Sequence, residues 1–134
     1  MRLPHFDRRE LAAIYAGGMV GALARVGLAQ AVPHSAATWP WATFLANLAG
    51  AAALGYLVTR LTERLPPSSY RRPFLGTGFC GALTTFSTLQ LELFEMLEAG
   101  HAGLAAGYAA ATLLGGFACV HLATAAVRRT RLLR

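Results

Sequence analysis

The sequence predicts an all-α integral membrane protein in which four helices cross the bilayer. Of its 134 residues, 55% are hydrophobic and only 13% are charged, and four apolar stretches of about 20 residues each are present. A soluble domain of this size needs more charge to cover its surface. A helix of about 20 apolar residues is long enough to cross a hydrocarbon core of about 30 Å.

The predicted spans follow one another along the chain and cover residues 11–32, 41–59, 74–97 and 102–127. The first span is preceded by Arg9 and Glu10, and no small-residue cleavage site ends a short apolar core. This pattern argues against a removable signal peptide. The sequence shows no internal repeat and no separate soluble domain, so residues 1–134 are predicted to form a single four-helix membrane domain.

The basic residues indicate how the chain lies in the membrane. All twelve are arginines, and the five segments outside the spans carry three, zero, four, zero and four of them in chain order. By the positive-inside rule, both termini and the loop between the second and third spans face the cytoplasm. The net charge of +6 is thereby explained by membrane orientation rather than by nucleic-acid binding. We expect a multi-pass protein of the cell inner membrane, surrounded by lipid.

Several polar residues lie within the predicted spans, where each needs a partner. Arg25 is about fifteen residues into the first span, and its side chain either snorkels to the interface near Pro33 or faces an aqueous vestibule. Asn47, near the middle of the second span, is either an interhelical hydrogen-bonding residue or a ligand donor. Tyr108 and Thr112 share a face of the fourth span, as a polar lining or as interhelical hydrogen-bonding groups.

The third span carries the segment TTFST, residues 84–88, near its centre. Such hydroxyls often bond back to carbonyls one turn earlier, but Gly76, Gly78 and Gly81 lie close by and loosen the helix. Irregular backbone inside a membrane is tolerated only against protein or a water-filled cavity, and broken helices free carbonyl and amide groups to bind ions. We therefore predict that the third helix is broken near the bilayer midplane and that its hydroxyls serve an ion.

The third span contains the segment GFCGALTTFST, the first span contains GALAR, the second span contains an asparagine, and there are four spans in total. On these features, the chain resembles the Fluc (CrcB) family of fluoride channels. The likeness covers essentially the whole chain. It implies a fluoride-selective channel that exports fluoride passively, built as an antiparallel dimer with two pores and a structural sodium ion at its centre. It further implies that sodium binds the main-chain carbonyls of Gly81 and Thr84, and that fluoride contacts Arg25, Asn47, Phe86, Ser87, Thr88, Tyr108 and Thr112.

The chemistry of these residues suits fluoride, a small and strongly hydrated anion. A pore must replace the water of the ion with amide, hydroxyl and guanidinium donors, and the positive edge of an aromatic ring can also face an anion. Leu89 departs from the family pattern, because a second pore phenylalanine usually stands there. Glu92 matches an acidic residue of the family, and the sequence assigns no role to it.

The arginine distribution conflicts with antiparallel pairing of identical copies. Eleven arginines lie on one side and none on the other, with Arg25 set aside, so nearly every copy is expected to insert with its termini in the cytoplasm. The sequence therefore predicts an antiparallel heterodimer with a homologous subunit of opposite charge bias. Self-pairing of the chain is the alternative.

Two other functions are alternatives to a channel. A small four-helix multidrug-type proton-coupled exporter resembles this chain in size, but such proteins carry an essential glutamate in the first span, where this chain has Arg25 and only Glu10 at the edge. A structural membrane subunit would leave the central polar residues unexplained. The sequence contains no ATP-binding loop or catalytic triad, and Cys80 and Cys119 show no metal-ligand spacing, so no enzyme is predicted.

Overall fold

A computed structural model of the chain describes residues 7–63 and 70–129, and both ranges are helical without any strand. The elements are α1 (Arg8–Ala31), α2 (Trp41–Glu63), a π-helical segment (Pro73–Cys80) that continues into the single turn α3 (Gly81–Leu83), α4 (Phe86–Glu98) and α5 (Ala102–Arg129). The all-α prediction is confirmed. Four of the counted arginines, Arg2, Arg64, Arg131 and Arg134, lie outside the described residues.

Three of these helices are long and apolar enough to cross a membrane. Helices α1, α2 and α5 contain 24, 23 and 28 residues, respectively. Within them, 18-residue apolar stretches have mean hydropathies of 1.5, 1.4 and 1.7. At a rise of about 1.5 Å per residue, each exceeds the thickness of a hydrocarbon core. They correspond to the first, second and fourth predicted spans. Over residues 74–97 the chain instead forms the shorter π-helical segment, α3 and α4.

Local sequence explains where several helices begin and end. The side chain of Asp7 caps α1 by accepting a hydrogen bond from the backbone N–H of Arg9 at 2.9 Å, as residues at this position often do. Helix α4 ends at Glu98, and Gly100, two residues later, has a φ of 80°, which glycine readily reaches. The chain then turns at once into α5, and the N–H of His101 donates to the carbonyl of Met96 at 2.8 Å.

Glycines allow the helices to approach each other closely. Helix α1 packs along the π-helical segment, and α2 packs along α5. A Cβ atom at Gly17 or at Gly21 would overlap the backbone carbonyl of Phe74 or Phe79, respectively. Across the other pair, a Cβ atom at Gly55 would lie 2.7 Å from the carbonyl oxygen of Val120. These contacts are the close backbone packing that small residues at four-residue spacing predict in membrane helices.

Because Gly17 is in close contact with backbone and Gly18 is not, alanine substitutions at these two glycines should differ in their effect on stability. Gly17→Ala is expected to destabilise the protein by about 1–3 kcal/mol, because the new methyl group meets rigid backbone. Gly18→Ala is the matched control, since the nearest atom to a Cβ there is 4.0 Å away, and its higher helix propensity should leave stability equal or slightly raised. Thermal unfolding in detergent measures both. Equal melting temperatures for the two variants would show that the contact at Gly17 is unimportant.

The internal core lies at one end of the bundle, near the loop of residues 32–40. It consists of Leu89, Met96, Ala105 and Tyr108, with Trp39 and Phe44 packed against it. The rings of Trp39 and Tyr108 meet edge to face, with centroids 5.4 Å apart. Outside this core, large apolar side chains of α1 and α5 remain exposed, including Leu23, Leu114, Phe117 and Leu122. Such faces are typical of contact with lipid or with a partner subunit.

Candidate functional site

The helical conformation is interrupted at Thr84 and Thr85. Their φ and ψ angles are −77° and 150° for Thr84 and −146° and 123° for Thr85, which are extended values between two helices. The hydroxyl of Thr84 donates back to the carbonyl of Cys80 at 3.0 Å, so the side chain satisfies the preceding turn. The backbone groups of Thr85 must find partners elsewhere.

Asn47 of α2 supplies those partners. Its Oδ1 accepts a hydrogen bond from the N–H of Thr85 at 2.8 Å, and its Nδ2 donates to the carbonyl of Thr85 at 3.1 Å. The one amide side chain therefore pairs with both backbone groups of a single non-helical residue. Of the two readings of Asn47, the structure shows the interhelical one, and both ends of the amide are used in it.

The hydroxyl of Thr85 starts the next helix. It accepts from the N–H of Thr88 at 3.1 Å and so caps α4, the usual role of threonine at this position. It also donates to the hydroxyl of Thr88 at 2.9 Å and lies 3.3 Å from the hydroxyl of Ser87. The side chains of this threonine–serine cluster are thereby connected to one another at the point of interruption.

Arg25 reaches the same point from α1. Its Nε donates to the carbonyl of Ala82 at 3.1 Å, a carbonyl that in a continuous helix would accept from the N–H of Phe86. The guanidinium is directed at the interruption rather than at the end of α1. It lines a cavity of about 300 Å³ with the polar side chains of Gln30, Thr43, Thr85 and Thr88.

A second cavity of about 270 Å³, which is open to the surface, is also lined by Thr85. Its lining includes Asn47, Thr84, Phe86, Leu89 and Thr112. The ring of Phe86 is 70% exposed, whereas Thr112 is buried and its hydroxyl has no hydrogen-bond partner within the described residues. An unpaired buried hydroxyl is costly and needs an explanation. A polar ligand or water in this cavity would provide one.

The structure brings Arg25 and Thr88 to the first cavity, and Asn47, Phe86 and Thr112 to the second. Ser87 is exposed beside them. Leu89 is 6% exposed, packs in the internal core with Met96 and Tyr108, and also lines the second cavity. An aliphatic side chain at this position is therefore accounted for by packing within the subunit.

Tyr108 is directed elsewhere, toward Glu92. Its hydroxyl donates to Oε2 of Glu92 at 2.7 Å, and the hydroxyl of Thr43 donates to Oε1 at 2.5 Å. Nε2 of His34 lies 3.5 Å from the same Oε1. Glu92 is only 3% exposed, so this carboxylate is buried with two hydroxyl donors and one imidazole around it.

Sequence reasoning missed His34 and Thr43. The sequence does place an acidic residue, Glu92, inside a predicted span. A buried carboxylate needs hydrogen-bond donors from neighbouring elements, so Glu92 indicates that such donors exist. Which donors those are depends on how α2 and the loop of residues 32–40 pack against α4. That information is absent from the local sequence.

The main-chain carbonyls of Gly81 and Thr84 suit a hard cation such as sodium in their chemistry, because such ions prefer oxygen ligands. In a continuous helix the carbonyl of Gly81 would accept from the N–H of Thr85, but that N–H donates to Asn47 instead. Gly81 is exposed, and a Cβ atom there would have no neighbour within 4 Å. The residues present thus fit an oxygen-ligand site at the surface of the chain.

Comparison with known proteins places the chain in a family. The sequence model of the CrcB-like proteins, described as Camphor Resistance (CrcB), matches residues 12–124. The chain belongs to the CrcB family. A CrcB relative from Mycolicibacterium paratuberculosis, named fluoride-specific ion channel FluC 1, is 58% identical over 96% of this chain and 97% of its own length.

Other CrcB relatives carry similar names. The protein from Mycobacterium bovis, also named fluoride-specific ion channel FluC 1, is 56% identical over 98% of this chain and 100% of its own length. The protein from Nocardia farcinica, named fluoride-specific ion channel FluC 2, is 42% identical over 95% of this chain and 91% of its own length. The CrcB likeness therefore extends over nearly the whole chain in each case.

Proposed function

We propose that the chain is a subunit of a fluoride-selective ion channel, which exports fluoride passively and lowers its cytoplasmic concentration. The observation that carries the proposal is the interruption at Thr84 and Thr85, which Asn47 holds between two cavities. It concentrates hydrogen-bond donors and one guanidinium in an otherwise apolar chain. The names of the CrcB relatives, as fluoride-specific ion channels, indicate the ion. They favour a channel over an enzyme, an exporter of the multidrug type or a structural subunit.

The proposed membrane domain spans residues 1–134 and has four crossings. Helices α1, α2 and α5 form three of them, and the fourth runs from the π-helical segment through α4. Residues 84 and 85 are central in that stretch, which supports a break near the bilayer midplane. Hydrogen bonds from Arg9 to Tyr70 and from Arg128 to Glu63 join helix ends that carry arginines. We assign that end, with both termini, to the cytoplasm.

The proposed fluoride path uses the residues that line the two cavities. Arg25 attracts the anion into the first cavity, where the hydroxyl of Thr88 offers a hydrogen bond. In the second cavity, Phe86 offers the positive edge of its ring and the unpartnered hydroxyl of Thr112 offers a donor. Asn47 contributes by shaping the backbone between the cavities. Ser87 lies at the exposed end of the cluster, and Tyr108 acts on the path through Glu92.

The carbonyls of Gly81 and Thr84 would hold the sodium ion at the centre of an antiparallel dimer. A bound cation there lowers the electrostatic cost of holding anions nearby. The role of the chain is to keep these carbonyls out of the helical hydrogen-bond ladder. The Asn47–Thr85 pairing supports this role, because it removes the helical donor from Gly81.

The proposed partner is a homologous subunit of opposite charge bias, in an antiparallel heterodimer. The distribution of arginines supports it, since eleven lie on one side and short loops follow the positive-inside rule. The relatives also show that one organism can hold more than one family member, because Streptomyces avermitilis has proteins named FluC 2 and FluC 3. Self-pairing remains the alternative outcome of the experiment on orientation described in the Discussion.

Fluoride efflux from liposomes tests the proposed function. Vesicles containing the purified chain, with any partner subunit that conduction requires, should release potassium fluoride once valinomycin carries the compensating potassium. Phe86→Ile is expected to lower this efflux by up to about tenfold, because it keeps apolar bulk but removes the positive ring edge, whose contacts contribute about 0.5–1.5 kcal/mol. A fluoride electrode measures the rates.

Phe94→Ile is the matched control on the same helix. Phe94 is 56% exposed and lines neither cavity. The Phe94→Ile protein should therefore show the same efflux as the unmodified protein. No fluoride release from vesicles that hold the folded chain together with its partner subunit would overturn the proposed function. Equal efflux from the two variants would instead remove Phe86 from the path.

A further inference from the structure

The buried carboxylate of Glu92 lies beside the proposed fluoride path. It is 3% exposed, and Thr43, which donates to its Oε1 at 2.5 Å, lines the first cavity together with Arg25 and Thr88. One hydrogen-bonding side chain therefore separates a negative charge from the space in which an anion would lie. A carboxylate in that position repels fluoride unless a positive charge compensates it.

The groups around Glu92 offer one titratable compensating partner in direct contact. From α2 the carboxylate meets the hydroxyl of Thr43, and from α5 it meets the hydroxyl of Tyr108. From the loop of residues 32–40 it meets the imidazole of His34, whose Nε2 is 3.5 Å from Oε1. Helix α1 brings Arg25 to the same cavity, where its Nε donates to Ala82 and its guanidinium supplies a positive charge that does not change with pH.

Helix α4 itself adds no compensating charge, because its other ionisable side chains, Glu95 and Glu98, are acidic and exposed. The side chain of His34 keeps 24% of its surface exposed, so it can exchange protons with the surrounding water. Histidine is the side chain that ordinarily changes charge between about pH 5 and pH 8. The imidazole of His34 is therefore placed to carry a compensating charge 3.5 Å from Oε1 of Glu92.

We infer that His34 is a charge-compensating residue of the fluoride path, whose imidazolium balances Glu92 and makes conduction depend on pH. The inference rests on the proposed function and adds a residue to it. The loop that carries His34 contains no arginine or lysine, so by the positive-inside rule it faces away from the cytoplasm. Acid outside the cell protonates His34 and adds a second positive charge beside Glu92, which favours anion passage, whereas at higher pH Arg25 alone opposes the charge of Glu92.

Fluoride efflux measured with the same pH on both sides of the vesicles tests this inference. Symmetric pH is needed because the assembled dimers can enter the vesicle membrane in either orientation. Efflux should fall about tenfold as pH rises from about 5.5 to about 8, the size expected for one elementary charge acting over about 10 Å at an effective dielectric constant of about 20. Efflux that is independent of pH in the unmodified protein would overturn the inference without any variant.

Variants of His34 and Glu92 then test whether the pH dependence of efflux comes from these two residues. His34→Lys keeps a positive charge, so efflux should stay high at every pH, whereas His34→Asn should show the low efflux of high pH throughout. Glu92→Gln removes the charge that needs compensation and should also abolish the dependence. His101→Asn is the matched control, because His101 is exposed in the loop between α4 and α5, and it should keep the original profile.

The outcomes separate this inference from the proposed function. A His34→Asn variant that retains the pH profile would overturn the role of His34 while fluoride conduction stands. Loss of the pH dependence in His101→Asn would show that His101, and not His34, causes it, and would overturn the inference in the same way. Absence of fluoride efflux at every pH would overturn the proposed function, and the role of His34 with it.

Discussion

Asn47→Ala is expected to lower fluoride efflux at least about a hundredfold. The substitution leaves the N–H and the carbonyl of Thr85 without the partners they have at 2.8 and 3.1 Å. Each unsatisfied buried group costs about 1–3 kcal/mol, and the chain can recover this energy by letting the N–H of Thr85 return to the carbonyl of Gly81. Such a rearrangement would close the interruption that separates the two cavities.

Efflux rates and melting temperatures, measured on the same preparations, distinguish this effect from general destabilisation. Thr59→Ala is the matched control on α2, because Thr59 is also buried and its hydroxyl bonds to the carbonyl of Gly55 and to Thr124. The Thr59→Ala substitution should lower the melting temperature without changing the efflux per folded protein. An Asn47→Ala protein that folds and conducts normally would show that the pairing with Thr85 is dispensable.

The second large effect concerns orientation. Nearly all copies of the chain expressed alone are expected to insert with both termini in the cytoplasm, because the basic residues of short loops determine orientation. Two copies in the same orientation cannot form an antiparallel pair. The chain alone is therefore expected to show no fluoride efflux, and efflux should appear when a homologous subunit of opposite charge bias is added.

Labelling of single cysteines at each terminus with a membrane-impermeant reagent measures orientation in cells. The background is Cys80→Ala and Cys119→Ala, since those are the two cysteines of the chain. As a matched control, replacing Arg8, Arg9, Arg71 and Arg72 with glutamine reduces the charge bias and should increase the population of the opposite orientation. Equal populations in the unmodified chain, together with efflux from the chain alone, would contradict the heterodimer and favour self-pairing.

The glycine contacts show how far sequence alone predicts packing. The spacing of Gly17 and Gly21 predicts a close helix contact, and the structure confirms one. The spacing does not identify the partner, which is the π-helical segment rather than α2. A small residue permits close approach from any neighbouring helix, so the partner is decided by the way the whole chain folds.

The helical class, the approximate extents of α1, α2 and α5, and the concentration of polar residues around Thr84 and Thr85 can all be predicted from the sequence. These features follow from composition and periodicity, which are local properties of the chain. The tertiary structure alone decided that Asn47 pairs with the backbone of Thr85, that Arg25 donates to Ala82, and that Glu92 is held by Thr43, Tyr108 and His34. A polar residue in an apolar segment requires a partner, but the partner comes from distant sequence and is specified only when the helices pack.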